Sequence, residues 1–93
     1  MQTNSPRKIW IQQCQVTPKL RQRFGVETAL DYLVGEKLLN FAEVADREPE
    51  VADDLPHFQA AVRKIFNQYE LIAYLATLKP AARKKLQKVL FVG

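Results

Sequence analysis

The sequence predicts an all-α fold: a compact bundle of about five short helices around a central helix at about residues 27–47. Two observations carry this prediction. Apolar residues recur at helical spacing along most of the chain, and proline or glycine separates the periodic stretches. The one segment that could form a strand, residues 9–16, has no partner strand elsewhere, and its backbone groups would be left unpaired.

The predicted central helix is apolar over most of its circumference. At roughly 100° per residue, Leu30, Val34 and Leu38 share a broad face, and Tyr32 and Leu39 lie on nearly the opposite side. Only a narrow strip is polar. A helix of this kind must be covered on most sides, so the other helices are expected to pack around it.

Two helices are expected before the central one. Residues 1–5 are polar and terminal, which predicts disorder. A serine followed by proline is typical of an N-cap and first helical position, so a helix is expected at about residues 6–15. Thr17-Pro18 repeats that signal and predicts a separate short helix over residues 18–24. Gly25 suits the position that ends it.

The central helix is expected to end at Glu48-Pro49, since a residue before proline avoids the helical region. Residues 50–55 are then interpreted as a linker or a single helical turn. Asp53 or Asp54 is expected to cap a following helix at about residues 56–66.

A capping box of the form Asn-x-x-Glu begins at Asn67 and predicts a break before a helix at about residues 68–78. Lys79-Pro80 ends that helix and starts the last one. The positions predicted to face the core in these three helices are Phe58, Ala61, Val62, Ile65 and Phe66, then Leu71, Ile72, Leu75 and Leu78, then Ala82, Leu86, Val89 and Leu90.

Length and composition favour one domain over residues 1–93, located in the cytoplasm. A chain of this size can bury a modest core without a metal or a disulfide. The single cysteine forms no disulfide within the chain, which fits a reducing compartment. No apolar run approaches the roughly 18–20 residues that span a bilayer, and the N-terminus lacks the apolar centre of a signal peptide, so no membrane contact is expected.

No group of residues predicts catalysis, so the chain is not expected to be an enzyme or to need a cofactor or metal. Cys14 shares an apolar stripe with Trp10, which is typical of an inert core thiol. His57 is the only histidine, and no spacing of cysteine and histidine supplies a ligand set. Asp31 and Lys37 lie about 240° apart around the central helix, so they do not face each other.

Charge is distributed unevenly around a net value of +4. Residues 1–25 hold five bases and no acid, residues 26–58 hold nine acids and two bases, and residues 59–93 hold seven bases and one acid. In one interpretation the basic ends pair with the acidic middle across the surface. In the other they meet an anionic partner, such as nucleic acid. The candidate anion-binding residues are Lys19, Arg21, Arg23, Arg83, Lys84, Lys85 and Lys88.

Gly35 is unusual because glycine inside a helix costs about 1 kcal/mol relative to alanine. The close approach of another helix, from this chain or from a second copy, would explain it. The candidate contact face for a partner or a second copy is then made of Tyr32, Gly35, Leu39 and Ala42. The function we favour from sequence is a non-enzymatic protein-binding or regulatory module that acts through such a surface contact, with a homodimer as one form. The alternative is a nucleic-acid-binding accessory protein.

Overall fold

The computed structural model describes residues 6–91, and every regular element in that range is a helix. The predicted all-α class is therefore confirmed. The disorder predicted for residues 1–5 lies outside the described residues. In chain order the elements are α1 (Pro6–Phe24), α2 (Val26–Leu30), a π-helical segment (Asp31–Leu38), α3 (Leu39–Ala45), α4 (Pro49–Ile65), α5 (Gln68–Ala76) and α6 (Pro80–Phe91).

The elements α2, the π-helical segment and α3 join into one central helix over residues 26–45. All four other helices contact it, as its wide apolar surface predicted. Trp10 of α1 stacks on Phe58 of α4 with ring centroids 5.5 Å apart, and Phe41 of α3 meets the same ring edge-on at 5.2 Å. These rings join three helices in one core, and the fully buried side chains around them include Leu33, Val34, Leu38, Val62, Phe66, Leu71, Leu86 and Leu90.

The N-terminal segment is one helix, not the two that were predicted. Pro18 lies inside α1, although proline has no N–H to donate and its ring crowds the preceding turn. Thr17 beside it is fully buried, and its hydroxyl donates to the Gln13 carbonyl at 2.7 Å. The threonine therefore bonds within the helix and does not cap a new one. Gly25 ends α1 with a φ of 101°, a conformation that glycine adopts readily.

The second difference is at the start of α4. This helix begins at Pro49, which takes the first helical position after an extended Glu48, and it continues through residues 50–55 and past Pro56. The predicted cap at Asp53 or Asp54 is therefore wrong. Val51 gives the physical reason, because the longer helix buries this side chain to 6% exposure against the core.

The remaining boundaries follow the local signals. The helix is interrupted at residues 66–67, and Asn67 and Glu70 form the predicted capping box. The Asn67 side chain accepts from the Glu70 N–H at 2.8 Å, and the Glu70 carboxylate accepts from the Asn67 N–H at 3.0 Å. The last helix begins at Pro80, as predicted.

The middle of the central helix is wider than an α-helix. In the segment Asp31–Leu38 backbone bonds reach five residues back, as from the Leu39 N–H to the Val34 carbonyl. Each residue of a π-helix turns through less than the roughly 100° of an α-helix. A regular α-helical projection of the sequence therefore misplaces the side chains that follow this segment.

Candidate functional site

Gly35 marks a close approach between two helices of this chain. A Cβ atom built at Gly35 would lie 3.2 Å from Cζ of the Tyr74 ring and closer than 3.0 Å to its hydroxyl oxygen. The Tyr74 hydroxyl passes over the glycine and donates to Asp31 Oδ1 at 2.7 Å. Burial and the neighbouring carboxylate raise the pKa of Tyr74. The glycine is thus explained by α5 of the same molecule.

The contact with Tyr74 covers part of the predicted contact face of Tyr32, Gly35, Leu39 and Ala42. Gly35 is covered by Tyr74, and Ala42 is only 1% exposed. Tyr32 and Leu39 are half-buried and pack against the core. Lys37 lies over the Tyr32 ring, with its Nζ 5.3 Å from the ring centroid. The four predicted residues therefore do not form one open face.

Arg21 connects α1 to the break between α4 and α5. Its guanidinium donates to both carboxylate oxygens of Glu70, at 2.9 and 2.6 Å, and to the Ile65 carbonyl at 3.2 Å. It also lies over the Phe66 ring at 5.6 Å. The hydrogen bond from Arg21 lowers the pKa of the Glu70 carboxyl. This arginine, predicted as an anion ligand, stabilises the last turn of α4 and the first turn of α5.

The other predicted anion-binding residues are divided between α1 and α6. Lys85 pairs with Asp46 and lowers the pKa of that carboxyl, so one base from the C-terminal segment pairs with the acidic middle. Lys19 and Arg23 are exposed on α1, and Lys84 and Lys88 are exposed on α6. Arg83 on α6 is half-buried.

The surface that sequence reasoning missed is on α5. Ile72 was predicted to face the core, but it is 50% exposed, and Tyr69 is 85% exposed. Ala73 and Ala76 are exposed beside them. Residues spaced by three and four positions share one side of a helix. We name this side, made of Tyr69, Ile72, Ala73 and Ala76, the α5 face.

The orientation of α5 follows from Tyr74. Its ring fits over Gly35 and its hydroxyl bonds Asp31, so this side of α5 turns toward the central helix and Ile72 turns outward. Leu71 and Leu75 complete the buried side. The sequence contains one signal that could have indicated this exposed surface. The α5 segment has more apolar residues than one side of a helix can bury.

A groove of about 490 Å³ lies between α5 and the start of the central helix. We name it the α2–α5 groove. Ala73 belongs both to the groove and to the α5 face, so the two surfaces are continuous. Three of its lining residues are acidic and none is basic, which gives it a negative character in a chain of net charge +4. The lining residues are Val26, Glu27, Leu30, Asp31, Glu70, Ala73, Tyr74 and Thr77.

The remaining reactive side chains that the structure describes, Cys14, Lys37 and His57, lie on three different helical elements. Burial raises the pKa of the Cys14 thiol to about 11, so it is protonated at neutral pH. Lys37 donates to Glu36 at 2.8 Å, and this hydrogen bond raises the lysine pKa. His57 is exposed on α4. Across residues 6–91, no three histidine, cysteine or acidic side chains are grouped so that they could hold a metal ion.

No helix within the described range has both the length and the apolar character needed to cross a membrane. Comparison of the chain with protein-family models, with curated proteins and with solved structures gives no significant match.

Proposed function

We propose that this chain is a non-enzymatic helical module that binds another protein through the α5 face and the adjoining α2–α5 groove. The exposure of Tyr69 and Ile72, side by side on one ordered helix, is the observation that carries the proposal. Single exposed apolar residues are normal on a protein surface, but contiguous exposed apolar patches mark interaction sites. Tyrosine is also enriched among the residues that contribute most to binding.

The fixed position of α5 supports the same function. Its N-terminus is held by the capping box and by Arg21, and its middle is held by the bond from Tyr74 to Asp31. A surface that is already ordered loses less conformational entropy when it binds. The α5 face is therefore arranged for docking before any partner arrives.

Affinity purification from the native cell tests this proposal with Tyr69→Asp and Ile72→Asp as the disrupting variants. An acid at position 69 lies in the first turn of α5, where the helix dipole favours it, so the fold is expected to persist. Val16→Asp on α1 is the matched control, since Val16 is 43% exposed and Ile72 is 50% exposed.

The wild type and the Val16→Asp control are expected to retain a protein that both α5 variants lose. Circular dichroism would verify that all four proteins are equally helical. If the α5 variants retain the same partners as the wild type, the α5 face is not the binding surface. Nuclease treatment in parallel separates protein contacts from bridging by nucleic acid.

Two alternatives have weaker support. A homodimer through Tyr32 and Leu39 would lack the contribution of Gly35 and Ala42, which contact their own chain. Nucleic-acid binding rests only on the charge of the exposed bases on α1 and α6. Binding to duplex or single-stranded DNA or RNA that weakens steeply with salt would favour it, and no binding at low salt would exclude it.

We also propose that the chain acts in the cytoplasm. The support is its single cysteine, which is unpaired and half-buried in the fold. Fractionation of the native cell tests the location.

A further inference from the structure

We infer that the partner presents an amphipathic helix whose apolar stripe is flanked by lysine or arginine, and that this helix lies along the α2–α5 groove. The inference rests on the proposed function and names the chemistry of its partner. It follows from the shape of the surface, from the apolar residues in it and from the sign of its charge.

The shape suits a helix. The groove runs between two helices, and its volume of about 490 Å³ is within the range of roughly 300–1,000 Å³ that accepts small anchoring groups. Ala73 is small and exposed at the junction with the α5 face, so a second backbone can approach there. Val26 and Leu30 supply apolar contacts inside the groove. An amphipathic helix places its apolar side chains into such grooves at spacings of three and four residues.

The charge selects a basic helix. Glu70 is compensated by Arg21, but Glu27 and Asp31 form no ion pair within the described part of the chain. Two uncompensated carboxylates at the groove attract lysine or arginine and repel an acidic segment. Because the chain as a whole is positive, this local negative surface also directs a cationic helix away from α1 and α6 and toward the groove.

The same charges argue against a symmetric pair of copies. In a two-fold dimer, each molecule offers the same patch to its partner. Two copies paired through the groove would place the Glu27 and Asp31 side chains of both molecules in one interface, and neither groove lining contains a base. Like charges gathered at an interface disfavour association. A distinct basic partner satisfies the surface better than a second copy.

A displayed library of helical peptides tests the inference. The probe peptides share a fixed leucine stripe at helical spacing and carry randomised Lys, Glu and Gln at the flanking positions. Selection against the wild type is expected to enrich lysine. The matched protein variant is Glu27→Gln with Asp31→Asn, which removes both charges but keeps their size and leaves an oxygen to accept from Tyr74.

Selected peptides are expected to bind this neutral variant about 2- to 30-fold more weakly, since each exposed ion pair contributes roughly 0.2–1 kcal/mol. They are also expected to lose binding to Ile72→Asp and to bind Val16→Asp normally. Enrichment of glutamate, absence of any charge preference, or absence of any binding helix would overturn the inference.

The outcomes separate the two proposals. Peptides that lose binding to Ile72→Asp but bind the neutral variant normally would contradict the basic helix and leave the α5 face as a binding surface. Peptides that bind both Ile72→Asp and the neutral variant as well as the wild type would contradict both. Sedimentation velocity adds a further outcome, because a dimer that Ile72→Asp abolishes would assign the surface to a second copy and refute the basic partner.

Discussion

Gly35→Ala tests the close contact between Gly35 and Tyr74. In an ordinary helix the change would stabilise by up to about 1 kcal/mol, because alanine is the better helix former. Here the new methyl group would overlap the hydroxyl of Tyr74, a side chain that is only 9% exposed. Overpacking of a buried site costs about 1–3 kcal/mol, and displacing the ring also breaks its hydrogen bond to Asp31, worth about 1 kcal/mol at this exposed carboxylate. The expected result is a net destabilisation of about 1–3 kcal/mol.

Urea unfolding followed by circular dichroism at 222 nm measures the change. Thermal unfolding should show a midpoint lower by roughly 4–8 °C for each kcal/mol lost. Tyr74→Phe provides the matched background, because it removes the hydroxyl that the methyl group would strike and leaves the ring in place. In that background the cost of Gly35→Ala is expected to be smaller. If Gly35→Ala is as stable as the wild type, Tyr74 does not cover Gly35 in solution and the explanation of the glycine fails.

Three other results are expected. The pKa of Glu70 is lowered in the folded chain, so its ion pair with Arg21 stabilises the fold above the usual carboxyl pKa of 4.5 and is lost as the pH falls below it. Glu70→Gln should therefore lower the free energy of unfolding by about 0.5–1 kcal/mol at pH 7, and this free energy should decline less on acidification than in the wild type. Urea unfolding at several pH values measures both effects. An unchanged acid profile would contradict the role of this ion pair. Because burial raises the pKa of the Cys14 thiol to about 11, this thiol should react with a thiol reagent at pH 8 roughly 100-fold more slowly than a free cysteine. Unfolding in urea should remove the difference. Rapid labelling of the folded chain would contradict the burial of Cys14. Trp10 Nε1 is buried and has no hydrogen-bond acceptor among the described residues. Trp10→Phe should therefore lower the free energy of unfolding by less than about 1.5 kcal/mol, because removal of the unpaired donor offsets the lost stacking on Phe58. A larger loss on urea unfolding would contradict this offset, because the smaller ring then leaves a cavity whose cost outweighs the removal of the unpaired donor.

Helix boundaries were predictable wherever the deciding chemistry is local. The capping box at Asn67, the start at Pro80 and the end at Gly25 each depend on residues within four positions in sequence. Pro18 and Pro56 show where local signals fail. A proline one or two positions after a polar residue, as in Thr17-Pro18 and Asp54-Leu55-Pro56, has the same sequence pattern at the start of a helix and inside one. The distinction here comes from burial of Thr17 and Val51 against distant helices.

The α5 face could not be predicted for a related reason. Its direction depends on Tyr74, whose ring lies over a glycine 39 positions earlier in the chain. The same glycine lies in the π-helical segment, where a regular helical projection no longer gives the correct side-chain directions. Sequence reasoning identified Gly35 as a point of close approach, but the helix that approaches it had to be read from the structure.

The bonds from Arg21 to Glu70 have a consequence for how the chain is synthesised and degraded. They join positions 49 residues apart, and the same carboxylate closes the cap of α5. A growing chain can therefore form the ion pair between Arg21 and Glu70 only after the segment that holds Glu70 has left the ribosome. A protease that cuts α1 away would loosen α5 without touching it. If a partner recognises α5, as proposed, its binding is expected to weaken when α1 is removed.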